Sequence, residues 1–185
     1  LGFIFVTNEA GSLPIANHIF LEKKLEHIFL TEFEQHQNIV HKICSLYTHD
    51  RASHHDLFQE VSIQLWKAFP KFRGDSKFST WMYRVALNTA ITQYRKNKKR
   101  TDTYDIENVL FKTQAYEAYD PKEEQQLSLM YAAIKELNDI DKALIFLYLE
   151  DKNYEEISMT LGISEVNARV KMNRIKKKLK KIIHP

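Results

Sequence analysis

Glycine and proline are scarce in this sequence, four of each in 185 residues. Breakers that rare leave long stretches in which nothing interrupts a helix, whereas a turn-rich β fold needs many more of them. No segment of useful length alternates apolar and polar residues with the two-residue period of a half-buried strand. Apolar residues recur instead at three- and four-residue spacing, the period of one helical face. The expectation is an all-α chain.

The periodic segments fall into two groups. Residues 22–49 carry Leu25, Ile28, Phe29, Phe33, Ile39, Val40 and Ile43 as a predicted core face. His49 to Ser53 interrupts the pattern, and Ser53 or Asp56 is the candidate cap of a second helix. That helix is predicted from about 54 to Phe69, stopped by Pro70. A loop holding Gly74 and Asp75 leads to a third helix at 79–98. Residues 101–122 have weak periodicity, scattered acids and an Asp120–Pro121 stop, and read as a linker. From Glu123 the helical period returns with Leu127, Met130, Tyr131, Ile134 and Leu137, followed by a helix at about 140–150. Asn153 and Glu156 have capping-box spacing, so a helix is predicted at 154–161, closed by Gly162. Ser164 caps the last helix, 165–182. The predicted organisation is two small helical domains, 21–100 and 123–185, joined by an acidic linker at 101–122. Residues 1–20 are an N-terminal extension with no assigned role.

Composition narrows the function classes. Hydrophobic residues make up 44% of the chain, ordinary for a soluble protein. No apolar run approaches the roughly 20 residues that cross a bilayer, and Leu1 to Val6 lacks the basic flank of a signal peptide. Cys44 is the one cysteine, which excludes an internal disulfide framework and fits a reducing cytoplasm. Its apolar neighbours Ile39, Val40, Ile43, Leu46 and Tyr47 mark it as a buried structural thiol. The eight histidines supply no good chelating pair, since His36 and His41 are five apart and His54 and His55 adjacent. No Gly-rich phosphate loop, paired carboxylate or nucleophile–base set is visible, so no catalytic residue, cofactor or metal is expected.

The net charge of +3 conceals an uneven layout. Residues 95–100 hold five basic groups in six positions, and 169–181 hold eight with no acid. Between them, 101–125 has seven acids against Lys112 and Lys122. Two basic poles separated by an acidic stretch suggest two nucleic-acid contacts on one molecule. Phe78–Arg100 interleaves six basic residues with four aromatics and has no acid. Rings that stack on unpaired bases beside cations that track phosphates are what a single-stranded DNA surface requires, though a basic amphipathic helix has the same composition. Trp81, Arg84, Asn88, Thr92 and Arg95 share one face of that helix.

Residues 154–182 have the spacing of a helix-turn-helix, with Ile157, Ala168, Met172, Ile175 and Leu179 inward and Gly162 at the turn. Outward positions are Asn167, Arg169, Lys171 and Arg174, of which Arg and Lys suit guanine edges and Asn suits adenine. The lysines that follow suit phosphates; the competing reading is a helical hairpin with a solvated lysine face. Asp56, Gln59, Glu60 and Ile63 share another helical face, acidic with one apolar residue. Such a face would repel DNA and could dock a basic protein helix, or simply be solvated.

The segments DLFQEVSIQLW (56–66), F-STW-MYRVALN (78–88) and YEEISMTLGIS (154–164) resemble the extracytoplasmic-function (ECF) group of bacterial RNA polymerase sigma factors. The resemblance covers about residues 30–100 and 123–183, in the family's order. It implies a two-domain, non-enzymatic initiation factor, monomeric when free, acting in the cytoplasm without membrane insertion. Asp56, Gln59, Glu60 and Ile63 would bind the β′ clamp helices of core polymerase, and the C-terminal domain its β flap. Phe78, Trp81, Arg84, Asn88, Thr92, Arg95 and Lys96 would open and read the promoter −10 element. Ser164, Asn167, Arg169, Lys171, Arg174 and Lys178 would read the −35 element as duplex. An anti-sigma partner, often membrane-anchored in this group, is implied by the same resemblance. A helix-turn-helix regulator that does not bind polymerase is the rival reading, and it gives no reason for the 56–66 and 78–88 segments.

Overall fold

The computed structural model describes residues 15–100, 129–130 and 132–183, which form helices joined by short connections, with no strand among them. Helix α1 (Ile15–Tyr47) starts well before the expected residue 22, because no glycine or proline lies between Pro14 and Thr48. Helix α2 (Arg51–Ala68) also starts early, capped by Asp50 instead of Ser53 or Asp56. Ser53 supplies the donors: its N–H reaches the Asp50 carboxylate at 2.8 Å and its hydroxyl at 2.6 Å. These bonds favour the ionised form and hold the Asp50 pKa below its usual value. Pro70 ends the α-helix as expected, but inside a 3-10 turn (Phe69–Lys71) that continues the chain direction. Helix α3 (Phe78–Arg100) follows.

These three helices bury Val40, Ile43, Cys44, Val61, Leu65, Met82, Ala86 and Ala90 completely. Ala86 and Ala90 keep the buried side of α3 small, so its backbone approaches its neighbours closely. Burial pushes the Cys44 thiol up to about 12, which makes it unreactive, in line with its sequence neighbourhood. Ile28, expected in the core, is 43% exposed, because the contact stripe on this part of α1 narrows to Phe29 with Leu25 and Phe33 beside it.

In the second half, a helical stretch at 132–135 leads to α4 (Asp139–Leu149), α5 (Tyr154–Leu161) and α6 (Glu165–Ile183). Asn138 caps α4 and Asn153 caps α5, the latter with both hydrogen bonds of the capping box, at 2.8 and 3.1 Å. Gly162 closes α5 in the left-handed region at φ 66, where a side chain would cost roughly 1–2 kcal/mol in backbone strain. Ile134, Leu137, Leu144, Leu147, Ile157, Ala168, Met172 and Ile175 form the core here. Leu127, Tyr131 and the linker at 101–122 lie outside the described residues.

The two halves touch. Helix α3 packs on α4 and α5 as well as on α1 and α2. Glu150 accepts from Lys42 Nζ at 2.8 Å and from the Tyr83 hydroxyl at 3.0 Å. The Tyr47 hydroxyl donates to the Asp139 carbonyl at 2.7 Å, and Arg95 pairs with the Asp139 carboxylate. Lys142 is 2% exposed, its ammonium 4.9 Å from the centre of the Tyr94 ring. Burial and the nearby Lys135 lower its pKa.

Two histidines give the fold an acid limit. His41 stacks on His54 at 5.4 Å and on Phe58 at 4.3 Å, tying α1 to α2. Burial, then His54, lowers the His41 pKa; burial, then Lys135 and Lys142, lowers that of His49. Both imidazoles resist protonation in the fold, so the unfolded chain binds protons first, from its ordinary value of 6.5 downward. The stabilisation is complete above that pH and is lost as pH falls through the lowered folded values. The denaturant midpoint is therefore expected to drop between about pH 7.5 and pH 5, and His41→Gln with His49→Gln to flatten that slope. A slope unchanged in the double variant would refute the assignment.

Candidate nucleic-acid interface

On α3, buried residues occupy one side: Met82, Tyr83, Ala86, Leu87, Ala90 and Ile91. Arg84, Asn88, Thr92 and Arg95 lie opposite and are exposed, with Lys96 next to them. The Thr92 hydroxyl donates back to the Asn88 backbone carbonyl at 2.7 Å, and Asn88 itself is exposed. Arg95 leans across to Asp139.

The rings of α3 do not share this face. Phe78 is 8% exposed, between Phe69 at 6.0 Å, Phe72 at 5.8 Å and His36 at 5.7 Å. In the free chain it is a packing residue, with little of its ring open to a DNA contact. Trp81 is half-buried, 5.1 Å from Phe72 and 5.2 Å from Phe78, so part of its ring is taken up by the cluster. Tyr83 and Tyr94 turn toward the second half. Large apolar rings were drawn into the contacts on either side of α3, and the projecting face kept cations, an amide and a hydroxyl. An open groove lined by Glu32, His36, Phe72, Ser76, Lys77 and Phe78 lies at the start of the helix.

On α2, Asp56 and Gln59 are exposed, Glu60 is half-buried and accepts from Gln64 at 2.9 Å, and Ile63 is 47% exposed. Trp66, three residues on and 39% exposed, extends the same apolar edge, its ring 5.1 Å from Phe29. The sequence reading missed it, although its spacing from Ile63 was the available signal.

On α6, the Ser164 hydroxyl caps the helix by accepting from the Asn167 N–H at 3.2 Å. Several expected base-reading residues turn sideways. Arg169 bonds Glu165 at 3.2 Å and lies 4.5 Å over the Tyr154 ring. Lys171 reaches Asp141 at 3.5 Å, and Lys178 donates to the Glu136 carbonyl at 3.3 Å. Long side chains on the flanks of a helix reach neighbouring helices; those directly opposite the core cannot. Asn167 and Arg174 remain exposed, and so do Val166, Val170, Asn173 and Lys177.

Residues 33–100 match Sigma-70 region 2, and residues 127–179 match Sigma-70, region 4. The chain belongs to the sigma-70 family, in its ECF group. RNA polymerase sigma-H factor of Pseudomonas aeruginosa is 28% identical over 158 residues, 78% of this chain and 82% of that protein. ECF RNA polymerase sigma-E factor of Escherichia coli K12 is 31% identical over 127 residues, 62% of this chain and 66% of the relative's length. In fold, this sigma factor is similar to RpoE of Bartonella quintana, solved with the anti-sigma factor NepR: TM-score 0.69, 18% identity, 84% of this chain and 96% of that one. CnrH, solved with the cytosolic domain of CnrY, gives a TM-score of 0.60 at 16% identity, over 85% of this chain and 88% of that one. The three faces thus distribute over the two matched regions: α2 and α3 lie in the region 2 match, and α4, α5 and most of α6 in the region 4 match.

Proposed function

We propose that this sigma factor joins core RNA polymerase through α2, holds the −10 element on α3 and reads the −35 element as duplex with α6. One observation carries the reading: a single chain bears an acidic, partly apolar face on α2 and two basic faces on α3 and α6, each exposed opposite its own core. The acidic face disfavours DNA and suits a basic protein helix, here the β′ clamp helices, with Asp56, Gln59, Glu60 and Ile63 as contacts. Arg84, Asn88, Thr92, Arg95 and Lys96 supply phosphate and base-edge contacts, while Trp81 receives an unstacked base. Arg95 must exchange Asp139 for a phosphate to take part.

Region 4 docks on the β flap while α6 enters the major groove. Domain boundaries are 21–100 and 123–185, with 101–122 threading the polymerase. The factor does no covalent chemistry, acts in the cytoplasm as a monomer when free, and is held by an anti-sigma protein, as the similar RpoE is by NepR. Among the described residues no helix is long and apolar enough to cross a membrane. The test is reconstitution. The purified chain added to core polymerase is expected to give specific initiation from promoters selected out of a genomic library. Failure to bind core polymerase would return the reading to a simple helix-turn-helix regulator.

A further inference from the structure

The ridge of α6 directly opposite its buried residues begins with two valines. Val166 is 72% exposed and Val170 43% exposed, one helical turn apart. Ala168, Met172 and Ile175 on the far side are 0–2% exposed, so this rotation of the helix is fixed by its core. Arg174 and Lys177 continue the same ridge and, among the described residues, make no hydrogen bond or ion pair. Of the six residues expected to read bases, Arg169, Lys171 and Lys178 are occupied at the sides and Ser164 caps the helix, while Asn167 and Arg174 stay exposed. A helix that enters the major groove does so with its N-terminal residues toward the base edges. The two groups of the ridge nearest that end are apolar and β-branched, with Asn167 exposed beside them.

We propose that Val166 and Val170 read the 5-methyl groups of thymines in the −35 duplex, making them specificity-determining residues of this sigma factor. The inference rests on α6 being the −35 helix. A valine offers no donor or acceptor. Against a G·C pair it would cover the guanine O6 and N7 or the cytosine amino group without replacing the lost water bonds. The thymine methyl is the one apolar group in the major groove, and contact with it costs no hydrogen bond. One helical turn spans about 5–6 Å, close to two base steps, so the thymines read are about two steps apart on either strand. The cations that continue the ridge favour a polyanion over a basic or apolar protein surface as its occupant.

The test uses the chain assembled with core RNA polymerase and a duplex library randomised upstream of a fixed −10 element. Each thymine in the selected −35 sequence is then replaced by deoxyuridine, which removes only the methyl group. Two positions about two steps apart are expected to lose about fourfold in affinity per methyl. Val166→Ala with Val170→Ala, at exposed sites where alanine favours the helix, is expected to bind thymine and deoxyuridine duplexes alike. If deoxyuridine leaves wild-type affinity unchanged at every position, or if the double variant selects the same sequence as the wild type, the proposal is overturned and the ridge is a protein-facing surface. A chain that binds core polymerase but fails only these tests keeps its function. A chain that never assembles with core polymerase overturns both.

Discussion

Replacing Phe69 with alanine is expected to cost about 3–5 kcal/mol, a large fraction of the roughly 5–15 kcal/mol that holds a domain folded. Phe69 is 7% exposed and sits in the 3-10 turn after α2. Its ring lies 5.2 Å from Phe29, 6.0 Å from Phe78, 6.2 Å from Trp81 and 6.3 Å from Phe72. It therefore joins α1, the loop after α2 and the start of α3 in one contact, and removing it leaves a cavity that four other rings cannot all close around. The functional result follows from the same geometry. The start of α3 sets the angle at which Arg84 and Asn88 project, so the variant should lose −10 opening along with stability. Urea unfolding measures the first and permanganate footprinting of unpaired thymines the second. A loss below about 1 kcal/mol would mean that the cluster packs loosely and that α3 is positioned by its alanine side alone. Phe78→Ala belongs to the same class: its effect on promoter opening should disappear once matched for stability, because its ring is inside the cluster.

Local signals were read well from the sequence because their causes are local. The 154–161 helix has its observed bounds, since Asn153, Glu156 and Gly162 place both ends by hydrogen bonds and backbone conformation within a few residues. The start of α2 was misplaced because several residues near it can cap, and only the geometry shows that Ser53 donates to Asp50 while Asp56 does not cap at all. Side-chain direction was harder. A helical wheel puts Trp81 on the face of Arg84 and Asn88, yet its ring bends toward Phe72, and Lys171 bends toward Asp141. Long side chains choose partners on other helices, which periodicity does not encode. Contacts between the halves were out of reach for the same reason: Lys42 and Glu150 are 108 residues apart and neither stands out in its own segment.

Reversing the charge at Asp56 is expected to break the holoenzyme without disturbing the fold. Asp56 is exposed on α2, beyond its first turn, with Leu57 and Val61 facing the core beside it. An arginine there keeps helix propensity and meets no buried neighbour, so the unfolding free energy should stay within about 0.5 kcal/mol. At an interface the balance differs. If Asp56 meets a basic helix of the clamp, Asp56→Arg replaces a desolvated attraction by a repulsion, a change of about 2–5 kcal/mol, or at least about thirtyfold in affinity for core polymerase. Gln59→Ala removes a neutral contact and should cost less, about 1 kcal/mol. Trp66→Ala discriminates further. If the apolar edge formed by Ile63 and Trp66 continues the docking surface, its loss weakens core binding without a change in salt dependence, whereas the Asp56 defect should be partly relieved at high salt. Fluorescence anisotropy of labelled chain titrated with core polymerase at two salt concentrations measures all three. Wild-type affinity in Asp56→Arg would leave α2 a solvated face and move polymerase docking elsewhere on the chain. Loss of helical content in the same variant would instead make the face a structural one, because exposed arginine has no other route to unfolding α2.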